Sequence, residues 1–383
     1  GYFHMGRHLA DGIGYVRWAD LMYRNTLIPT AEYPPLFPFL LASLQLLGET
    51  SLEGQRLIVG MMGAVNVALV SVLGRTLVNA RTGMVAGAMA ALSPSLIEMD
   101  GSFMAEALYV PLIISSYILI LRALRKQTFA SWLGVGAVLG LCSLTRSEAL
   151  LLLPLLVVPL IWIGLKKKRL VAVAAATIGL GAVILPWTVR NALEVEAFVP
   201  VSQNFKGVLL GANCDWSYDI TPGSWMYKCV LRLEKDMAGL SEAETFDRWR
   251  DTGIRFMWEH MDRLPYVVGA RVLRTWGLYQ PGRWYGVGEN EVRNRDFSRY
   301  TWWLGWLLLA LMPPGLALMW VRSPVRFGLM LGPILLVTLT SAVAYGNVRF
   351  RAAAEPALIV LAATSLTAGW TKLRGTESSK PPS

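Results

Sequence analysis

Charge is what this chain has least of. Only 16% of its 383 residues are Asp, Glu, Lys or Arg, while 54% are hydrophobic and the mean hydropathy is +0.44. Soluble domains average about 25% charged residues, so this balance excludes one and points to an integral membrane protein. Cysteine and histidine are also scarce, at 3 each. No Cys-x-x-Cys pair or His-x-x-x-Cys cluster occurs, which leaves no structural zinc site. His4 and His8 are four apart but have no third ligand nearby, and they read as part of an aromatic-rich interfacial helix. A divalent metal is the one cofactor left open. A Walker loop, a Rossmann glycine pattern and a Gly-x-Ser-x-Gly elbow are all missing, so a nucleotide-driven pump and a serine hydrolase have no support. There is no signal peptide and the first residue is glycine, so the true N-terminus is expected upstream.

The net charge of +10 would suggest nucleic acid as the partner of a soluble protein. Here the lysines and arginines sit in short clusters between apolar runs, as they do when they set membrane orientation, and nucleic acid is not an expected partner. The runs predict spans near 55–73, 82–97, 104–121, 130–144, 149–165, 170–188, 301–319, 327–344 and 352–370. Arg75 and Arg81, Arg122 to Lys126, Lys166 to Arg169, Arg322 to Arg326 and Lys372 to Arg374 fall at alternate span ends, which are expected to be cytoplasmic. The opposite ends, at 98–102, 145–148, 191–300 and 345–351, then face outward. The domain plan is a first exoplasmic loop with a juxtamembrane helix (1–54), six spans (55–190), an exoplasmic domain (191–300), three spans (301–371) and a disordered cytoplasmic tail (372–383).

The opening stretch, 1–36, is polar, aromatic and glycine-rich beside segments apolar enough for lipid, and it reads as a working surface or, more plainly, a solvated loop. Its juxtamembrane helix starts at Pro34 and is too short for the ~20 residues that cross the hydrocarbon core. In the domain at 191–300, Ser241-Glu242-Ala243-Glu244 before Phe246 predicts a helix start, with acids at the positive end of its dipole. Met257 to Leu278 alternates apolar and basic positions, as a helix lying in the membrane interface would. Cys142, inside an apolar run, reads as a small packed hydrophobe. Cys214 and Cys229 share one outward segment with Pro222-Gly223 at the middle of the intervening loop, and outside the cytosol such a pair tends to oxidise.

Three polar interruptions at the outward span ends hold the candidate chemistry. In the first, Asp100 reads as either a solvated acid or a helix cap, whereas Glu106 lies about one turn inside an apolar run, where an acid usually faces a polar cavity. In the second, Arg146 and Glu148 are two residues apart and would point to opposite sides of a regular helix, so they can line one cavity only if the turn is irregular. The third carries Arg349-Phe350-Arg351. Arg351 has a plain account as the i,i+4 partner of Glu355, and Arg349 has none so obvious.

The order of these parts resembles the GT-C superfamily of polytopic membrane glycosyltransferases, and within it glycosyltransferase family 39, which includes the protein O-mannosyltransferases and lipid A aminoarabinose transferases. Tyr2, Gly12-Ile13-Gly14-Tyr15 and Pro34-Pro35-Leu36 stand in the order of that family's first outward loop, whose principal acid would fall just before Gly1. Glu106 matches the acid that relatives hold before an Ala-Leu or Pro-Leu continuation, and Arg146 matches their Thr-Lys or Thr-Arg pair. Arg349-Phe350 matches their pair before the last helix, although Ala353 stands where they have proline.

The resemblance implies an all-α polytopic bundle of GT-C type that transfers a sugar from a polyprenyl-phosphate donor, at the outer face of the cell membrane, to a glycan, lipid or protein acceptor. Glu106 and Asp100 are then the catalytic candidates, and Arg146, Arg349, Tyr2, Glu32 and Tyr33 the substrate-binding ones. Arginine suits a lipid phosphate because its planar fork binds two oxygens at once. Intramembrane acids and arginines also mark transport pathways, so a transporter or flippase of a lipid-linked substrate is the alternative, although no inverted repeat is evident. A membrane scaffold binding partners through 191–300 is a third reading.

Overall fold

Backbone groups cannot stay unpaired in lipid, so the apolar runs must close their hydrogen bonds within helices. In the computed structural model, which describes residues 1–17, 26–234, 239–280 and 295–377, every regular element is helical. The first polar stretch holds α1 (Tyr2–Ala10) and α2 (Leu36–Leu46). Next come α3 (Leu52–Gly60) and α4 (Met62–Leu77), then α5 (Ala80–Ala91), α6 (Pro94–Gly101), α7 (Glu106–Lys126) and α8 (Phe129–Thr145). A 3₁₀ turn (Ser147–Leu151), a π turn (Leu153–Val157) and α9 (Val158–Gly164) together make one irregular span, in which Pro154 and Pro159 withhold backbone donors. The long α10 (Arg169–Glu194) leads into a helical cap of α11 (Asn204–Ala212), α12 (Tyr227–Glu234), α13 (Glu242–Glu259) and α14 (Leu264–Thr275). Finally α15 (Arg295–Arg322), α16 (Pro324–Val343), a 3₁₀ turn (Val348–Ala353) and α17 (Glu355–Glu377) complete the chain.

Six of these helical stretches are long and apolar enough to cross a membrane: Leu52–Leu77, Glu106–Lys126, Ser147–Gly164, Arg169–Glu194, Tyr300–Arg322 and Pro324–Val343. α5 and α8, with 12 and 17 residues, are shorter. Side chains cap many helix starts: Ser51, Asn79, Ser93 and Thr128 accept hydrogen bonds from the amides of Gly54, Thr82, Leu96 and Ser131, satisfying donors that lack intrahelical partners. At Ser241 a reciprocal capping box with Glu244 opens α13, at the predicted helix start.

α17 lies at the centre of the bundle. Ala357 to Ala363 are fully buried, packed by α15, α5, α4 and α16. The closest crossing is α8 on α10, where a Cβ on Gly136 would meet the Ala176 carbonyl oxygen at 1.9 Å and one on Gly179 the Leu133 oxygen at 2.1 Å. Between helices in lipid, small residues permit this backbone approach and the dispersion contacts that hold the pair. Gly164, beside Leu124 and Val325, shows that α7, α9 and α16 gather their basic-flanked ends together. The opposite end carries Glu106, Arg146 and Arg349, together with the cap.

Three local expectations change. The tail expected from Lys372 continues α17 as far as Glu377, since no proline interrupts it, while residues 378–383 lie outside the described residues. The interfacial helix expected over Met257 to Leu278 is broken at His260–Arg263, where α13 ends and Pro265 opens α14. Its arginines also face the opposite way: Arg271 and Arg274 are buried while Tyr266 and Leu273 are exposed. The burial of Arg271 is tolerated because its guanidinium donates to the carbonyls of Ala212 (2.7 Å), Ala342 (3.2 Å) and Val343 (3.4 Å) and to Asn213 Oδ1 (2.8 Å).

Candidate active site

Three breaks in helical regularity bring the charged residues together. α7 starts at Glu106, three residues after Phe103, whose φ of 53° turns the chain sharply. α8 stops at Thr145, and Arg146 is extended, with φ −148° and ψ 121°, before the 3₁₀ turn begins. That is the irregular turn that Arg146 and Glu148 require, and the Arg146 Nε pairs with Glu148 Oε1. In the third break Asn347 caps the last 3₁₀ turn by accepting from the Arg349 amide at 3.0 Å.

Arg146 and Arg349 converge on one carboxylate. Arg146 Nη1 pairs with Glu106 Oε1, and Arg349 Nε lies 2.8 Å from the same oxygen. The Glu106 side chain is 2% exposed, against 13% for Arg146 and 19% for Arg349, so the acid is sealed behind guanidiniums that reach the surface. A buried carboxylate paired on two sides avoids the cost of an isolated buried charge. The Arg146 guanidinium also lies 5.3 Å from the centre of the Phe350 ring and 5.8 Å from that of Tyr109, and Arg349 Nη1 is 3.4 Å from Met104 Sδ. These contacts hold both forks in fixed directions. Arg351 is separate: it is buried and pairs with Glu355 at 2.9 Å, the i,i+4 arrangement expected of it.

Tyr2 belongs to the cluster. Burial, together with the Glu106 charge and against the pull of Arg349 and Arg146, pushes its hydroxyl up to about 12, so it stays a neutral donor at any physiological pH. Its ring meets Tyr33 edge-on at 5.5 Å and Phe37 at 5.2 Å. Tyr33 is raised as well, chiefly by the neighbouring Glu32 charge and then by burial. Glu32 itself pairs with Arg17 at 3.5 Å. The first loop is fastened to the cap by its backbone, the Ala31 amide donating to Glu242 Oε1 at 2.8 Å and the Asn204 amide to the Glu32 carbonyl at 3.0 Å.

Of the residues singled out by sequence, Tyr2, Glu106, Arg146 and Arg349 thus meet in one place, with Tyr33 and Glu32 alongside. Asp100 stands apart, accepting from Asn66 Nδ2 at 3.0 Å beside an apolar groove of roughly 730 Å³ walled by Gly60, Gly63, Ala64, Ala90 and Ala91. Glu148, which a regular helix would point away from Arg146, is a member of the cluster. The tie of Glu242 to the first loop had no sequence signal, because nothing local marks a contact between positions 31 and 242. Cys214 and Cys229 are joined in a disulfide with their Cα atoms 6.5 Å apart. Among the described residues, no group of three or more His, Cys, Asp or Glu side chains is placed to hold a metal ion.

The polytopic helical bundle has the fold of solved GT-C membrane glycosyltransferases. The archaeal oligosaccharyltransferase AglB from Archaeoglobus fulgidus, solved in complex with an inhibitory peptide and a dolichol-phosphate, matches over 100% of this chain and 48% of its own, with a TM-score of 0.57 and 15% identity. The structure of the Archaeoglobus fulgidus oligosaccharyltransferase tethered by a disulfide bond to an acceptor peptide containing the NVT sequon matches over 99% and 46%, with a TM-score of 0.59 and 13% identity. The chain therefore spans about half the length of these relatives, and what it shares with them is the fold. By sequence, residues 32–189 match the family described as Dolichyl-phosphate-mannose-protein mannosyltransferase, a stretch that includes Glu32, Tyr33, Asp100, Glu106, Arg146 and Glu148. Among curated proteins none matches the sequence.

Proposed function

We propose that this protein transfers a sugar from a polyprenyl-phosphate donor to a glycan, lipid or protein acceptor at the outer face of the membrane. The observation that carries this reading is the convergence of Arg146 and Arg349 on the buried Glu106. Transfer from such a donor breaks the bond between the anomeric carbon and a phosphate oxygen, which leaves with the electron pair. Cations fixed where that charge develops lower the barrier, and the partly exposed forks of Arg146 and Arg349 suit that task. Glu106, held by two guanidiniums and sealed from solvent, aims them. The acceptor hydroxyl forms the new bond to the anomeric carbon and gives its proton to a carboxylate. Glu148, at 28% the more exposed of the two cluster acids, suits that role once the donor phosphate engages Arg146. Tyr2 and Tyr33, kept neutral, supply donors beside the phosphate, and the first loop that carries Glu32 forms one wall.

The test is release of free polyprenyl phosphate by purified protein supplied with a polyprenyl-phosphate sugar. Release that requires acceptor marks a transferase, and movement of intact lipid-linked sugar across a vesicle marks a transporter. Arg349→Ala is expected to lower turnover by ~10²-fold or more, as loss of an electrostatic contact to the transition state commonly does, and Glu106→Gln by a similar factor, because both guanidiniums then lose the carboxylate that aims them. Glu148→Gln is expected to lower turnover while leaving donor binding intact. Wild-type turnover in Arg349→Ala would remove Arg349 from the site.

A further inference from the structure

The chain between α16 and Arg349 is gripped by α14, a helix of the cap. Gly346, three residues before Arg349, lies against this helix so closely that a Cβ there would meet the Arg271 carbonyl oxygen at 2.3 Å and Arg274 Cβ at 2.5 Å. Against the same turn of α14 packs Gly223, with φ +79°, where a Cβ would meet the Arg271 amide nitrogen at 2.7 Å. The two glycines are themselves bonded, the Gly346 amide donating to the Gly223 carbonyl at 2.8 Å. One residue on, the Asn347 amide donates to Thr275 Oγ1 at 3.2 Å, and the Asn347 side chain in turn accepts from the Arg349 amide at 3.0 Å. Arg271 completes the grip, bonding the carbonyls of Ala342 and Val343 with one nitrogen and Ala212 and Asn213 with the other. The loop that presents Gly223 is closed at its base by the Cys214–Cys229 disulfide.

The backbone bonds at Gly346 and Asn347 that fix the approach to Arg349 are therefore answered from the cap. Thr275 is 0% exposed, and its γ-oxygen accepts one bond and donates another, to the Arg271 carbonyl at 3.2 Å, so its position is set by α14. We propose that Thr275 is a positioning residue for Arg349: through Asn347 it sets where the guanidinium points, and through it the cap is mechanically linked to the phosphate seat. This inference rests on the reading of Arg349 as a phosphate contact given above. The physical reason to expect a functional effect is that a misplacement of about 1 Å in a binding group is enough to lose much of its contribution.

Binding of farnesyl phosphate to the purified full chain in detergent, followed by calorimetry, tests this without requiring turnover. Arg349→Ala is expected to weaken binding. Thr275→Val keeps the shape but loses the hydroxyl and should weaken it by about fivefold or more, and Thr275→Ser should bind as wild type. Because Thr275 acts through Arg349, the double variant Thr275→Val/Arg349→Ala should bind no more weakly than Arg349→Ala alone. Wild-type affinity in Thr275→Val overturns the inference, and so does a loss that multiplies with that of Arg349→Ala. Should Thr275→Val fail to fold, Asn347→Ala, at a half-buried position, removes the next link and carries the same expectations and the same two overturning results. Unchanged binding in Arg349→Ala instead removes the phosphate role of Arg349, and the positioning role of Thr275 falls with it.

Discussion

Glu106 and Asp100 are two acids of one short segment with opposite surroundings. Glu106 answers two guanidiniums, whereas Asp100 has an amide donor on one side and an apolar groove on the other. Burial pushes the Asp100 carboxyl up to about 7, with the Asn66 hydrogen bond opposing. A carboxyl that holds its proton more tightly folded than unfolded contributes stability that is fully present below its unfolded value of 3.8 and is lost as pH rises through about 7. Asn66 Oδ1 is buried with no hydrogen-bond partner among the described residues, and a protonated Asp100 is able to donate to it. Asp100→Asn carries a permanent donor and is expected to raise the thermal unfolding midpoint in detergent at pH 8, with the advantage shrinking toward pH 5. A midpoint difference that does not vary with pH would show that Asp100 does not titrate in this range. At the same scale, spacing along the chain is enough to separate Arg349 from Arg351, because an acid stands four residues after Arg351 and none stands at that distance from Arg349. The partner of Arg349 is Glu106, a contact with no trace in local spacing.

At the scale of elements, the spans follow from apolar length and the caps from Ser, Thr and Asn at their starts, both readable directly from sequence. The pairing of α8 with α10 is a separate fact, set by two glycines that let the backbones meet. Gly179→Ala would place a methyl group against the Leu133 carbonyl and should destabilise the bundle by about 1–3 kcal/mol, the usual cost of overpacking. Gly181 on the same helix has nothing within 4 Å of its Cβ position, so Gly181→Ala serves as the neutral control. Equal unfolding midpoints for the two variants would show that the crossing is looser than described. α14 shows where sequence patterning misleads. An alternation of basic and apolar positions suits a helix lying at an interface, but it fits equally well a helix whose arginines turn inward to carbonyl oxygens, and only the presence of those oxygens decides. Periodicity gives the faces of a helix and leaves open which face is inside.

For the whole molecule, helix ends flanked by arginine and lysine gather at one side and the charged cluster lies at the other. We expect the first side to be cytoplasmic. Cys142 is buried and the other two cysteines are bonded to each other, so single cysteines report with little background. Lys167→Cys should react with an impermeant thiol reagent only after the membrane is opened, and Glu259→Cys should react in intact cells; labelling of both from outside would invert the map. The membrane class, most of the helical content and the basic-cluster alternation were legible in the sequence, which also singled out four of the residues that cluster, because lipid solvation acts on each segment separately and a charge inside an apolar run is costly wherever the chain goes. Tertiary structure alone decided that Glu106, Arg146 and Arg349 share one point, that Glu148 joins them and Asp100 does not, and that α14 holds the approach to Arg349. Those outcomes depend on contacts between residues far apart in sequence, and such contacts are selected by the packing of whole helices against one another, where local spacing carries no information.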